Sequence, residues 1–297
     1  MIRIEGGRFS MGSDEYYPDE APVHERTIES FWIEEYAVTN SRFAEFVQDT
    51  GYVTVAERPL DPADFPGASP ADLLPGGMVF TQTAGPVDLS EFRHWWTWVP
   101  GASWRTPLGP GSSLEGRGEH PVVQVAFEDA SAFAEWAGGR LPSEAEHEYA
   151  ALGGTSGRRF AWGDDPYPDA APRANTWIGR FPYDNRGRFG ADTAPVGSFP
   201  ANGYGLFDMI GNVWEWTGDH YSPRHVVPGV VVPDAGSRVN LLGTDGPVPG
   251  APARRVLKGG SYLCSPDYCL RFRPAARSPQ TEDSASTHIG FRVARDA

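Results

Sequence analysis

Residues 129–154 read Asp129-Ala-Ser-Ala-Phe133-Ala-Glu-Trp136-Ala137-Gly138-Gly139-Arg-Leu-Pro-Ser143-Glu-Ala-Glu146-His147-Glu-Tyr-Ala-Ala-Leu-Gly153-Gly154. Two short helices are written there. Phe133, Trp136 and Ala137 recur at helical spacing after Asp129 and stop at a glycine pair. The second helix opens at Ser143 with Glu146 three residues on, a capping box, and stops at Gly153 and Gly154. Only one other helix is signalled, with Asn40 as its cap, Phe43, Phe46 and Val47 on one face and Gly51 at its end. Elsewhere short apolar runs, such as residues 122–125 and 292–294, are separated by long turn-rich segments. The pattern predicts an α+β domain with little regular secondary structure and long loops.

Composition agrees, since 35 glycines and 28 prolines make up about a fifth of the 297 residues. Hydrophobic residues at 40%, ten tryptophans among them, still supply a core, and a chain of about 300 residues buries roughly three-quarters of its unfolded surface. With no repeat and no dividing linker, one domain over residues 1–297 is expected. Residues 66–77, 107–118 and 228–252 read as its surface loops.

A net charge of -14 offers no basic stripe to a phosphate backbone, so nucleic acid is not an expected partner. No apolar run reaches the ~20 residues of a membrane helix; the valines around Val230 are broken by Pro and Gly. The N-terminal residues lack an export pattern, and two cysteines are too few for a disulfide scaffold, so a cytoplasmic location is expected. The seven histidines form no HExxH, and no nucleophile elbow, phosphate loop or dinucleotide fingerprint occurs.

Chemistry is left to Lys258-Gly-Gly-Ser-Tyr-Leu-Cys264-Ser-Pro-Asp-Tyr-Cys269, which holds both cysteines. They read either as buried thiols or a local disulfide, or as a pair for a soft ion such as copper(I) or a redox dithiol. Zinc is disfavoured because no second pair of ligands is evident. Gly259 and Gly260 allow a tight turn before Ser261. Arg271, Arg273 and Arg277 either lower a thiol pKa or pair with carboxylates, the second reading being preferred. Asp208 and Glu215, in Asn202-Gly-Tyr-Gly-Leu-Phe-Asp208-Met-Ile-Gly-Asn-Val-Trp214-Glu215-Trp216, suit an oxygen-rich calcium site or an acidic turn with core tryptophans. Trp95, Trp96, Trp98 and Trp104 suggest the wall of a peptide groove, or else a satellite core.

Together these motifs resemble the formylglycine-generating enzymes, or sulfatase-modifying factors. The resemblance runs in order through GGRFSMGS, residues 36–40, HPVVQVAFEDA from His120, WAGGRLPSEAEHEYA from Trp136, FAWGDD from Phe160, GNVWEW from Gly211, KGGSYLC to Cys269 and GFR at Gly290 to Arg292. Sulfoxide synthases and ligand-binding variable proteins share much of this pattern. The Cys264/Cys269 pair followed by RFRPAARS singles out the aldehyde-generating branch, and residues from Gly51 and Glu91 look closest to actinobacterial members. The implied fold is the single formylglycine-generating-enzyme (C-type-lectin-like) domain.

The resemblance implies a copper(I) oxidase that uses dioxygen to convert the cysteine of a Cys-x-Pro-x-Arg segment in an unfolded sulfatase to formylglycine. Cys264 and Cys269 would hold copper, and Ser261, Trp214 and Tyr268 would line the oxygen and substrate pocket, with Ser261 ranked first for turnover. Structural calcium would be held by Asp208, Gly211, Val213 and Glu215. A second calcium set would begin at Asn175 and the Thr176 carbonyl, but its usual Asp-Gly-aromatic run is replaced by residues 188–192. His147 stands where relatives usually carry Trp, and Thr217 where several carry Cys; neither is expected to touch the chemistry. The alternatives are a non-catalytic ligand-binding module of the same fold and a related oxidase using non-haem iron, the latter wanting a histidine cluster.

Overall fold

Thr39, rather than Asn40, caps the first helix. The computed structural model describes residues 1–63, 66–70, 73–168, 171–227 and 253–297; the expected 228–252 loop, with the valines around Val230, lies outside the described residues. Helix α1 runs Asn40–Thr50, with the Thr39 hydroxyl accepting the Arg42 N–H at 3.4 Å and Gly51 closing it at φ 68°. Asn40 donates its amide to the Arg117 carbonyl at 2.9 Å. Both residues offer a capping oxygen, and only the tertiary contact separates them. Helix α2 runs Phe127–Trp136, starting earlier than expected because Asp129 sits inside its first turn and accepts the Ala126 N–H at 2.8 Å. Helix α3, Glu144–Leu152, has the expected box: Glu146 N–H donates to Ser143 Oγ at 3.2 Å and Ser143 N–H to Glu146 Oε2 at 2.7 Å.

The strands are short: β1 Ile2–Ile4, β2 Gly7–Met11, β3 His24–Ile28, β4 Phe31–Ile33, β5 Gly76–Phe80, β6 Trp96–Pro100, β7 Gly179–Arg180, β8 Asp184–Asn185, β9 Trp214–His220, β10 Arg254–Lys258, β11 Arg277–Thr281, β12 Ile289–Gly290 and β13 Ala294–Asp296. A four-stranded sheet, ordered β11-β10-β9-β12, is antiparallel except for the β9–β12 pair. A three-stranded sheet, β1-β4-β13, joins the two ends of the chain, with Ile33 opposite both Ile2 and Ala294. Pairs β2–β3, β5–β6 and β7–β8 complete the set.

The main core packs α1 and α2 through Phe43, Phe46 and Phe133 onto Trp214, Trp216, Phe291 and Cys264. Phe43 lies against Phe133 at 5.8 Å between ring centroids and meets Trp104 edge-on at 5.1 Å. A second aromatic cluster gathers Phe80, Trp95, Trp177, Phe181, Tyr262 and Leu263. Of the two readings of the tryptophan stretch, the core reading holds for Trp95 and Trp104, each 1% exposed, in the second cluster and the main core respectively. Only Trp96, half-buried, and Trp98, exposed, remain near the surface, on β6. No helix among the described residues is long and apolar enough to cross a membrane.

Candidate active site

The cysteine segment is held by backbone hydrogen bonds from distant parts of the chain. Gly211 N–H donates to Gly259 O at 2.9 Å, Tyr262 N–H to Asn212 O at 3.0 Å, Asn212 N–H to Asn175 O at 2.8 Å and Trp177 N–H to Cys264 O at 2.9 Å. Gly259 and Gly260 make the expected turn at φ 88° and 74°. A Cβ on Gly260 would stand 2.8 Å from the Arg271 carbonyl oxygen, so backbone packs where a side chain would be.

Cys264 and Cys269 are unbonded, with their sulfurs 3.8 Å apart, against about 2.05 Å in a disulfide. Burial pushes the Cys264 thiol well up. The hydrogen bond from Cys264, followed by the Arg271 cation against the opposing effect of burial, holds Cys269 down, making it the more readily ionised sulfur of the pair. Two soft donors, one favouring its thiolate, fit copper(I). Among the described residues no three His, Cys, Asp or Glu side chains gather as a metal site.

The three arginines pair with carboxylates, as preferred from the sequence. Arg271 reaches Asp19 at 3.0 Å and lies over the Tyr17 ring at 4.0 Å. Arg273 grips both oxygens of the fully buried Glu20, and Arg277 meets Glu144 at 2.7 Å. Arg271 serves both readings, since it also bears on Cys269.

Ser261, fully buried, donates its backbone N–H to Cys264 Sγ at 3.4 Å. Its Oγ accepts the Leu263 N–H at 3.3 Å and lies 3.3 Å from His288 Nδ1. Tyr268 stacks on Phe181 at 4.3 Å and meets Trp95 edge-on. Trp214 donates its backbone N–H to His288 O at 2.8 Å and shares the main core with Cys264. His288 was not singled out from the sequence, because it has no ligand-spaced neighbour and only tertiary pairing brings it to the serine. The nearby GFR run was the one local pointer.

Asp208 and Glu215 have different surroundings. Asp208 adopts φ 52°; its Oδ2 accepts the Gly197 N–H at 2.8 Å, and its buried Oδ1 has no hydrogen-bond partner among the described residues. Burial raises its carboxyl to about 6. Burial would raise Glu215 too, but Arg292, with help from His147, wins and lowers it to about 2. Arg292 bonds both Glu215 oxygens at 2.7 Å, and His147 Nε2 lies 2.9 Å from Oε2. His147 therefore bears on an expected calcium residue, and no hydrogen bond among the described residues joins it to the sulfur pair. Thr217 does stand apart, donating to Val256 O at 2.8 Å.

An orphaned carboxylate oxygen beside a glycine-bearing turn fits an oxygen-bound cation, and Glu215 would have to share its charge with Arg292. The second set fits less well. Asn175 gives its amide to Asp192 O and Asn212 Oδ1, while the Asp192 carboxylate is held by Arg117 at 2.6 and 2.8 Å. No free carboxylate remains in that set to offset a divalent charge.

Residues 1–297 match the sulfatase-modifying factor enzyme 1-like domain. The sequence is 55% identical to the formylglycine-generating enzyme of Mycobacterium tuberculosis, over 100% of this chain and 97% of that protein. The chain belongs to the formylglycine-generating enzyme family. It is also 47% identical to the enzyme of that name from Streptomyces coelicolor, over 100% of this chain and 89% of the relative. Among solved structures, PvdO from Pseudomonas aeruginosa aligns at TM-score 0.60 and 25% identity, covering 99% of this chain and 93% of that one. The formylglycine-generating-enzyme motifs read from the sequence thus correspond to family membership, and the loop-rich α+β fold to the family's architecture.

Proposed function

We propose that this chain is a copper-dependent oxidase that converts the cysteine of a Cys-x-Pro-x-Arg segment in an unfolded sulfatase to formylglycine. The observation that carries the reading is the pair of free sulfurs 3.8 Å apart, one of them favouring its thiolate, in a chain of this family. Copper(I) held by Cys264 and Cys269 would supply the dioxygen activation that side chains lack. Dioxygen would accept the two electrons and two protons removed from the substrate Cβ–S unit, and water would then replace the sulfur of the resulting thioaldehyde with release of hydrogen sulfide.

The chain's own residues account for the rest. Ser261 donates its N–H to Cys264 Sγ and so fixes that sulfur. Trp214 shares the main core with the buried Cys264, against which the half-buried Cys269 packs, and Tyr268 packs on the second aromatic cluster. Asp208, with the Gly211 and Val213 carbonyls and a shared Glu215, would hold calcium as a brace for the turn leading into β9. The location is proposed to be cytoplasmic, where thiols stay reduced.

The test is direct. Reduced protein is incubated with copper(I), air and a Cys-x-Pro-x-Arg peptide, and mass spectrometry follows conversion of thiol to aldehyde. Cys264→Ala and Cys269→Ala should each abolish conversion; an unchanged rate in either would refute the copper assignment.

A further inference from the structure

His288 contacts three parts of the site. Its Nδ1 lies 3.3 Å from Ser261 Oγ, its carbonyl accepts the Trp214 N–H at 2.8 Å, and its ring meets Trp96 of β6 edge-on at 4.7 Å. Ser261 in turn touches Cys264 through its backbone. One histidine therefore connects the sulfur pair to the strand carrying the outward tryptophans.

A serine hydroxyl has one proton to give and two lone pairs to receive. Leu263 N–H occupies one lone pair of Ser261. If the proton lies on the His288 side, the other lone pair is left as an acceptor. We propose that His288 is a positioning residue: neutral, protonated on Nε2, it accepts the Ser261 O–H through Nδ1 and so turns the remaining Ser261 lone pair toward the incoming substrate thiol. No proton changes owner in this role, and it rests on the reading of the pocket given above.

Desolvation supports the neutral form, driving the His288 imidazole down to about 3. Trp96 and the backbone bond to Trp214 hold the ring in place, so the hydrogen bond needs little rearrangement when peptide arrives. A serine without this partner would rotate its hydroxyl freely and present donor and acceptor alternately.

The test has two arms. In the spectroscopic arm, long-range proton–nitrogen spectra of uniformly 15N-labelled protein, without added metal, identify the His288 signals by their loss in His288→Asn. An Nε2–H tautomer whose Nδ1 signal moves in Ser261→Ala supports the proposal; an Nδ1–H tautomer, or no response to Ser261→Ala, overturns it. In the kinetic arm, His288→Ala should lower kcat about tenfold, equivalent to roughly 1.4 kcal/mol, with KM and melting temperature little changed. His288→Asn, whose side-chain oxygen can stand in for Nδ1, should recover most of the rate. Ser261→Ala/His288→Ala should be no slower than Ser261→Ala alone, because His288 acts through the serine. Independent, multiplying losses, or a loss confined to KM, would overturn the role. If wild-type protein leaves the peptide untouched, the functional reading fails, and the spectroscopic arm alone decides the hydrogen bond.

Discussion

Asp208 carries an electrostatic cost. Burial pushes its carboxyl in the folded state up to about 6 from the ordinary 3.8, outweighing the single N–H from Gly197. That displacement is worth roughly 3 kcal/mol. The native state binds the proton more tightly, so this group's contribution to stability falls as pH rises from about 4 to about 6 and is flat above. A cation binding the Asp208 carboxylate would relieve the cost only where the carboxylate is ionised. Calcium should therefore raise the melting temperature relative to chelator at pH 7.5 and do so much less at pH 5, read by differential scanning fluorimetry. No difference at pH 7.5 would remove the site. Sequence brought Asp208 and Glu215 forward but not their contrast, because Arg292 and His147 come from other segments. A buried carboxylate bound to arginine and histidine looks, in sequence, the same as an unpaired one.

The elements that could be read from the sequence are those specified by local contacts. The Ser143–Glu146 box and the Gly51 and Gly153 stops lie within a few residues of what they cap, so residues alone place α1 and α3 closely. The cap of α1 lies one residue, and the start of α2 three residues, before the expected position, because Asn40 and Asp129 serve tertiary partners. The tryptophan stretch stays open between groove and core for a related reason: Trp95, just before β6, turns into a core while Trp96 and Trp98 on β6 stay nearer the surface, which the count of tryptophans does not reveal. The turn before the pocket gives a prediction at this scale. Gly260 combines φ 74° with the Arg271 carbonyl where its Cβ would be. Gly260→Ala should therefore cost about 1–3 kcal/mol in denaturant titration, and peptide turnover should fall further than stability explains, since the turn aims Ser261 and Cys264. A variant with wild-type stability and rate would show that the turn tolerates a side chain.

Ion pairs tie the segment before β3 to the segment after Cys269, through Asp19 with Arg271 and Glu20 with Arg273, while β4 pairs with strands from both ends of the chain. Both partners of the Glu20–Arg273 pair are at most 2% exposed in their side chains. Glu20→Gln leaves a buried guanidinium uncompensated and should destabilise by about 3–5 kcal/mol in urea unfolding; a change below 1 kcal/mol would mean the pair is not buried in solution. The remaining charge is unbalanced, with 39 acidic against 25 basic residues giving a net of -14. A field of that sign raises the local concentration of a cationic peptide and fades as salt shortens the screening length, from roughly 30 Å at 0.01 M to 3 Å at 1 M. For the proposed substrate, KM should rise across that range because its arginine is drawn in by the field, while kcat, set by local contacts at the sulfur pair, should stay nearly constant. A peptide with citrulline in place of that arginine separates this attraction from general salt effects. Its KM should start higher and change little with salt. Parallel salt dependence for the two peptides would show that the acidic excess serves solubility and plays no part in substrate capture.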